Sequence, residues 1–397
     1  MLIGVVGKPN TGKSTFFKAS TLAEAEIAPR PFTTIKPNEG VGFVRVDCAE
    51  KIFKVKCNPR QGFCIDGQRF VPAKMIDVAG LVPGAHLGKG LGNKFLSDLV
   101  QADVLIHIVD ASGSTDAEGK IVEAGSYDPV SDVKFIEDEL DRWFAGMLKE
   151  NWSKFVRQSL QKAADKALAE QFYGFKITLE MVTKALRTTK LDSKMLINWT
   201  DEDIFHFASA VRLMSKPLVI AANKIDLPTA KKNIERLKKE FSNYLIVPCS
   251  AESELALREA AKSEIIKYIT GDNKFEILKP EKLNTAQKKA LDFISEKILK
   301  VWGSTGVQTC LNAAVLDFLR YIVVFPGGVH KLTDSEGRVL PDAFILPPHS
   351  TAYDFAAKIH TDLAKNFVAA IDVKTKRKIG RDTELKHLDV IEIMTSK

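Results

Sequence analysis

The chain has 397 residues, too many for one simple core, so two or three domains are expected. Hydrophobic residues make up 45% and charged residues 27%, the balance of an ordinary soluble protein, and the formal charge is 57 − 50 = +7. The longest apolar runs, "VLIHIV" (Val104–Val109) and "PLVIAA" (Pro217–Ala222), are strand-sized and exclude a membrane-spanning helix.

The opening "MLIGVVGKPN" is a strand leading into a loop and lacks the zones of an export signal, so a cytoplasmic protein is expected. The mild basicity permits an RNA or ribosome partner, although Lys and Arg scattered over solvated helix faces account for most of it. The five cysteines are odd in number and form no C-x-x-C pair, which reads as reduced thiols. Cys57 and Cys64, at the ends of "CNPRQGFC", face each other if that stretch is a hairpin; a disulfide or metal role is the alternative there.

In chain order, Leu2–Val6 reads as a buried strand, followed by G-x-x-x-x-G-K-S (Gly7, Gly12, Lys13, Ser14) and a helix from about Lys13. Glycines let successive backbone N–H groups turn inward toward phosphate oxygens, and the helix points its positive end at the same anion. The expected phosphate-binding stretch is Gly7, Lys8, Pro9, Asn10, Thr11, Gly12, Lys13, Ser14 and Thr15. Lys13 would reach the β- and γ-phosphates, and Ser14 would ligate Mg²⁺.

A phosphate loop predicts further parts downstream. "RPFTTIKPNEG" offers Thr33 and Thr34 in a loop, and Thr34 is the favoured mobile metal ligand. "AKMIDVAG" supplies a strand ending at Asp77, which would hold Mg²⁺, with Gly80 sensing the γ-phosphate through its N–H. "PLVIAANKIDLP" is a buried strand ending in Asn223-Lys224-Ile225-Asp226. A carboxylate such as Asp226 accepts from guanine N1–H and the 2-amino group; adenine offers neither. Lys224 would lie along the base plane. "IVPCSAES" is another strand, and Ser250, Ala251 and Glu252 in the loop after it would close over the base oxygen. These parts stand in the order of a guanine-nucleotide switch. The alternation of strands and helices implies an α/β, doubly wound, mostly parallel sheet.

From Asp128 to Lys216 the path between motifs is too long for a single helix, and a helical insertion is expected, with a hairpin of long helices as one form of it. Ser131 is the expected first cap, helices are expected near Thr178–Thr188 and after Thr200 or Asp201, and Trp143 and Trp152 read as packing anchors. Lys274–Val301 reads as a Lys-rich helical connector packing on the nucleotide domain. After about Tyr321 a strand, a loop-rich stretch, one amphipathic helix capped at Ser350 or Thr351, and two or three final strands are expected. The run "VKTKRKIGR" concentrates Lys374, Lys376, Arg377, Lys378 and Arg381, which suits phosphate contacts as well as plain solubility. The resulting division is 1–127 with 217–273, then 128–216, 274–320 and 321–397.

With "GKPNTGKST", "FTTIKPNEG", "DVAGLVPGAHLGKGLGNKFL" and "FPGGVHKLTDSEGRVLPDAFILPPHSTAYDFAAKIH" in view, the chain resembles the Obg-type, translation-associated GTPases, closest to the YchF branch and the related DRG proteins. The resemblance implies a P-loop G domain, a C-terminal TGS domain of β-grasp form, GTP or GDP with Mg²⁺, and a ribosome, rRNA or tRNA partner. It also implies a hydrophobic residue where other switches carry a catalytic glutamine, and Leu81 fits. YchF proteins usually have an altered base motif and prefer ATP; this chain keeps Asn223, Lys224 and Asp226, which points to GTP. Some relatives with an asparagine at the place of Asn10 use K⁺ as an extra positive charge; here Asn10 either does so or only shapes the loop. Three groups are open as the substitute for glutamine: K⁺ at Asn10, a group lent by a partner, or His86. The expected catalytic set is Lys13, Thr34, Gly80 and His86, in a monomer that turns over slowly. The competing readings are a nucleotide-stabilised RNA-binding scaffold, a YchF-type ATPase, and a metabolic P-loop ATPase or kinase.

Overall fold

A computed structural model describes residues 1–21, 38–78, 99 and 101–396. The chain forms two compact units: Met1–Phe17 with Met75–Glu252, and Lys18–Lys74 with Ser253–Lys397. The first seven strands are β1 (Leu2–Val6), β2 (Glu39–Asp47), β3 (Phe63–Ile65), β4 (Gln68–Asp77), β5 (Val104–Asp110), β6 (Leu218–Asn223) and β7 (Leu245–Pro248).

In the first unit the order is β4-β1-β5-β6-β7, with β4 represented by its last residues. β1 pairs parallel with β5, β5 with β6, and β6 with β7. Every residue of β5 and β6 is buried, as a sheet covered on both faces requires. The parallel pairing aligns the strand ends. Gly7 follows β1, Asp77 ends β4, Asp110 ends β5, Asn223 ends β6 and Ser250 comes just after β7. Ligands of doubly wound sheets sit beyond these carboxyl ends.

The same unit holds the insertion. Helix Val130–Lys149 packs along helix Asp201–Ser215, and Phe144, Phe172, Trp199 and Phe207 form the middle of their shared core. Trp143 and Trp152 pack against that core. Ser131 is not the cap expected of it: the first helix starts at Val130, whose N–H bonds to Asp128 Oδ1, so Ser131 is already inside the first turn. The helical run also breaks, at Asn151 in the left-handed region (φ 62), into Trp152–Ser159 and Ala164–Gln171. Thr178 and Thr200 cap the later helices, Thr200 in a reciprocal box with Asp203.

In the second unit, β4 begins beside β2 and pairs antiparallel with β3. Helix Val307–Asn312 covers β2, where Asn312 donates to Arg45 O and accepts from Arg45 N, as a neighbouring strand would. The stretch from Lys274 is not helical at first. Phe275–Ile277 (β9) pairs with Ile266–Tyr268 (β8), and the helix starts at Thr285, with a π turn at Ile294–Leu299. The last strands are β10 (Ile322–Pro326), β11 (Phe344–Leu346), β12 (Phe367–Asp372), β13 (Arg377–Ile379) and β14 (Val390–Thr395), in the order β11-β10-β14-β12-β13. Helix Ala352–Ile359, capped by Thr351, packs Phe355 into the core of this sheet. One helix was expected over 351–367; the chain instead turns extended at His360 (φ −161), whose Nδ1 accepts from Asp362 N and caps a second short helix.

Candidate nucleotide site

The loop after β1 is tied down from several sides. Thr11, fully buried, donates through Oγ1 to Lys8 O at 3.0 Å, and Phe16 N bonds to Gly12 O at 2.8 Å as the helix Lys13–Thr21 starts. Gly12 has φ +93, and a Cβ there would lie 2.2 Å from Asn223 Nδ2, so both the backbone angle and the space demand glycine.

Within the phosphate-binding stretch, the Lys8 ammonium turns into the protein, which leaves its backbone as the part that can face a phosphate. Lys8 is 4% exposed, donates to Asp132 Oδ1 at 2.8 Å and Thr115 O at 3.0 Å, and sits 4.0 Å above the Tyr127 ring. This side chain anchors the loop to the start of helix Val130–Lys149. Burial pushes the Asp132 carboxyl up to about 6 even with Lys8 beside it. Pro9 and Asn10 are exposed, and Asn10 Nδ2 donates to Gly119 O at 2.9 Å.

Lys13 and Asp77 form an ion pair, Lys13 Nζ donating to Asp77 Oδ1, with both side chains largely shielded. Ser14 is exposed on the first turn of its helix and Thr15 is half-buried. The sequence motifs thus bring a cation and a carboxylate together, with a hydroxyl on the next residue, at the end of the loop after β1.

The other end is built on Asn223. Its Nδ2 donates to Thr11 O at 2.8 Å and its Oδ1 accepts from Ala251 N at 3.0 Å. One buried amide therefore locks the loop after β1 to the loop after β7. Ser250 Oγ donates to Asp226 Oδ1 at 3.1 Å, which orients that carboxylate, while Glu252 is exposed. Lys224, in the left-handed region (φ 66), donates to Asp110 Oδ2 at 2.9 Å and Ser114 Oγ at 3.1 Å.

Asp110 was not foreseen. Its buried carboxylate accepts from Ser112, Ser114, Thr115 and Lys224. Burial works to raise its pKa, but the Ser112, Lys224 and Ser114 bonds outweigh it and hold the carboxyl below the usual range. The signal lay in "DASGST", an acid followed by three hydroxyl residues within reach of its own turn. Thr34, Gly80, Leu81 and His86, like Thr33, lie outside the described residues.

Three family models match the chain. One described as 50S ribosome-binding GTPase spans residues 2–136, one described as Obg-like GTPase YGR210-like, G4 motif-containing domain spans 221–328, and the TGS domain spans 336–395. An uncharacterised GTP-binding protein of Methanocaldococcus jannaschii is 50% identical over 100% of this chain and 99% of its own length. An uncharacterised GTP-binding protein of Schizosaccharomyces pombe is 40% identical over 89% of this chain and 88% of its own. A crystal structure of a GTP-binding protein from Pyrococcus horikoshii matches over 100% of both chains at 37% identity, with a TM-score of 0.77. Obg-like ATPase 1 of Rattus norvegicus is more distant, 29% identical over 93% of this chain and 81% of that protein. By its sheet, its P-loop, its TGS domain and these relatives, the chain belongs to the Obg-like, YchF-type family of GTP-binding P-loop GTPases.

Proposed function

We propose that the protein is a guanine-selective switch that hydrolyses GTP slowly and acts on the translation apparatus. The observation that carries guanine selectivity is the Asn223 amide bridging Thr11 O and Ala251 N, with Asp226 oriented by Ser250. This arrangement presents a fixed carboxylate to guanine N1–H and the 2-amino group. Adenine would leave it unpaired, a loss of about 2–5 kcal/mol. The name Obg-like ATPase 1, carried by the relatives near 29% identity, motivates the opposing reading of ATP as substrate.

At the phosphate end, Lys13 would exchange its bond to Asp77 for the β- and γ-phosphates. The Asp77 carboxylate and the exposed Ser14 hydroxyl suit Mg²⁺, which takes oxygen ligands and neutralises phosphate charge; Thr34 would join them. Gly80 would report the γ-phosphate, and loss of that contact on hydrolysis would switch the loops. With Leu81 in place of glutamine, turnover depends on K⁺ at Asn10, His86 or a partner group. Asn10 Oδ1 is the atom K⁺ would use, since Nδ2 is committed to Gly119 O.

A ribosomal or other RNA partner is supported by the exposed Lys374, Lys376, Arg377 and Lys378 around the β12–β13 turn. Arg381 instead lies 3.8 Å from the centre of the Tyr353 ring.

The deciding experiment measures GTP, ATP and XTP affinity for the wild type and Asp226→Asn. The wild type should prefer GTP by at least about 100-fold, and Asp226→Asn should reverse this toward XTP, because an amide donates to the xanthine 2-oxygen. Equal wild-type affinity for GTP and ATP would sink the reading. Turnover with and without ribosomes, in K⁺ and in Na⁺, then separates a switch from a scaffold, which would show none.

A further inference from the structure

Three of the five cysteines meet away from the nucleotide loops. Cys48 follows β2, Cys57 lies in the loop beyond the short helix Glu50–Phe53, and Cys64 is in β3. Among the described residues, Cys48, Glu50, Cys57 and Cys64 form a group whose ligand atoms all lie within 4.8 Å of one another. Cys48 Sγ and Cys57 Sγ are 3.7 Å apart, and Cys64 Sγ donates to Glu50 Oε1 at 3.4 Å.

The Cys48–Cys57 and Cys64–Glu50 separations match two edges of a coordination tetrahedron, and the other four pairs lie within 4.8 Å. With metal–sulfur bonds of about 2.3 Å and a metal–oxygen bond of about 2.0 Å, tetrahedral angles place two sulfurs about 3.8 Å apart and sulfur and oxygen about 3.5 Å apart. A disulfide needs the two sulfurs within about 2.05 Å.

The surroundings are those of an anionic centre. Arg69 is fully buried; Nη1 donates to Cys57 Sγ at 3.7 Å and to Leu340 O, and Nη2 donates to Pro341 O. None of these partners is a carboxylate, so a thiolate at Cys57 would supply the buried guanidinium with its counter-charge. Glu50 Oε2 accepts from Cys57 N at 2.8 Å, which fixes the carboxylate relative to a sulfur, as second bonds to metal ligands do. Lys51, Lys54 and Lys56 line the same cleft as Glu50, Cys57 and Cys64. Three thiolates and one carboxylate on a divalent ion carry net negative charge, which Lys54 and Lys56 help to offset, while Lys51 is paired with Asp47. The local elements are a four-residue helix that buries no side chain and a three-residue strand, so apolar packing alone holds this segment weakly.

We propose that Cys48, Glu50, Cys57 and Cys64 bind one zinc ion in a closed, structural site that fastens the segment from Cys48 to Cys64. Zinc takes three sulfurs and one oxygen tetrahedrally without redox chemistry, and four protein ligands leave no open position for catalysis. Binding releases the thiol protons to solvent, so affinity falls as pH falls.

The test uses the full chain purified under reducing conditions from zinc-replete cells. Metal analysis should give about one zinc per chain after dialysis against EDTA. An organomercurial should release it as three thiols titrate, and iodoacetamide should spare Cys48, Cys57 and Cys64 until then. Cobalt(II) in its place should show thiolate charge-transfer and tetrahedral d–d bands. Cys48→Ser and Cys57→Ser should retain less than about a tenth of the metal. Because loss of a ligand can unfold this segment, Glu50→Cys is the companion variant; its four thiolates should keep one zinc. Absence of stoichiometric zinc with the three thiols freely reactive, a Cys48–Cys57 disulfide, or iron–sulfur absorption would each overturn the proposal.

Discussion

The loop Gly7–Ser14 and the pocket around Cys57 both gather polar groups for a charged ligand, but from different distances in sequence. The loop uses consecutive backbone groups on one turn, with Asn223 as the long-range tie to Thr11. The cysteine pocket uses four side chains over 48–64, from a strand end, a helical turn, a loop and a second strand. A ligand gripped by successive N–H groups imposes a fixed spacing, which is why a phosphate loop is a motif. An ion held by side-chain tips imposes distances only between those tips, and the fold decides which spacing delivers them.

Two glycines turn that contrast into a test. Gly62 (φ +70) lies in the hairpin region of the cysteine pocket, and a Cβ there would stand 2.0 Å from Phe70 O, a backbone atom. Gly62→Ala should therefore cost more than about 3 kcal/mol, read as a large loss of urea stability and of bound zinc. At Gly12 (φ +93) the backbone strain is shared, but the added Cβ meets the Asn223 side-chain amide, which can rotate away, rather than a backbone atom. Gly12→Ala should fold with a smaller loss, but the displaced Asn223 releases Thr11 O and Ala251 N. GTP affinity should fall about 100-fold, a cost of about 3 kcal/mol, by calorimetry. If Gly12→Ala loses zinc, or Gly62→Ala folds normally, the contrast between the two regions fails.

A smaller effect separates the regions again. Cys57→Ser should lower thermal stability while leaving the GTP-over-ATP ratio within about twofold, because the proposed base contacts rest on Asn223, Asp226 and Ser250. Competition binding of the two nucleotides reads this directly, and a selectivity change of tenfold would tie the pocket to the switch.

Legibility followed the same divide. The strand Leu2–Val6, the helix from Lys13, and the strand ending at Asn223 were readable because each is short, local and flanked by its own signals. The partnership of Lys8 with Asp132 was not, since it joins a loop to a helix far along the chain, and a lysine beside a phosphate loop invites the simpler reading. The spacing in "CNPRQGFC" lets Cys57 and Cys64 face each other across a hairpin, but Cys48 and Glu50 carry no such signal, because only the turn after β2 brings them there. The break at His360 was hidden too. Apolar spacing continues through it, and the side chain that caps the start of the second helix is a histidine, outside the usual set.

The smallest expected effect calibrates the rest. Thr200 caps helix Asp201–Ser215, accepting from Asp203 N at 3.2 Å while Asp203 Oδ2 accepts from Thr200 N at 2.6 Å. Thr200→Ala should cost about 1 kcal/mol in urea unfolding, with zinc content and GTP affinity unchanged. The pH dependence has a definite sign. The Lys194 hydrogen bond, then those from Thr200, hold the Asp203 carboxyl down at about 2, against 3.8 ordinarily. A depressed acid adds stability that is complete above pH 3.8 and is lost as pH falls through about 2. The Thr200→Ala deficit should therefore be the same at pH 7 and pH 5. A deficit that grows between those values would mean that another titrating group carries the cap, and a GTP affinity that moves with Thr200 would mean that the insertion reports on the nucleotide loops directly.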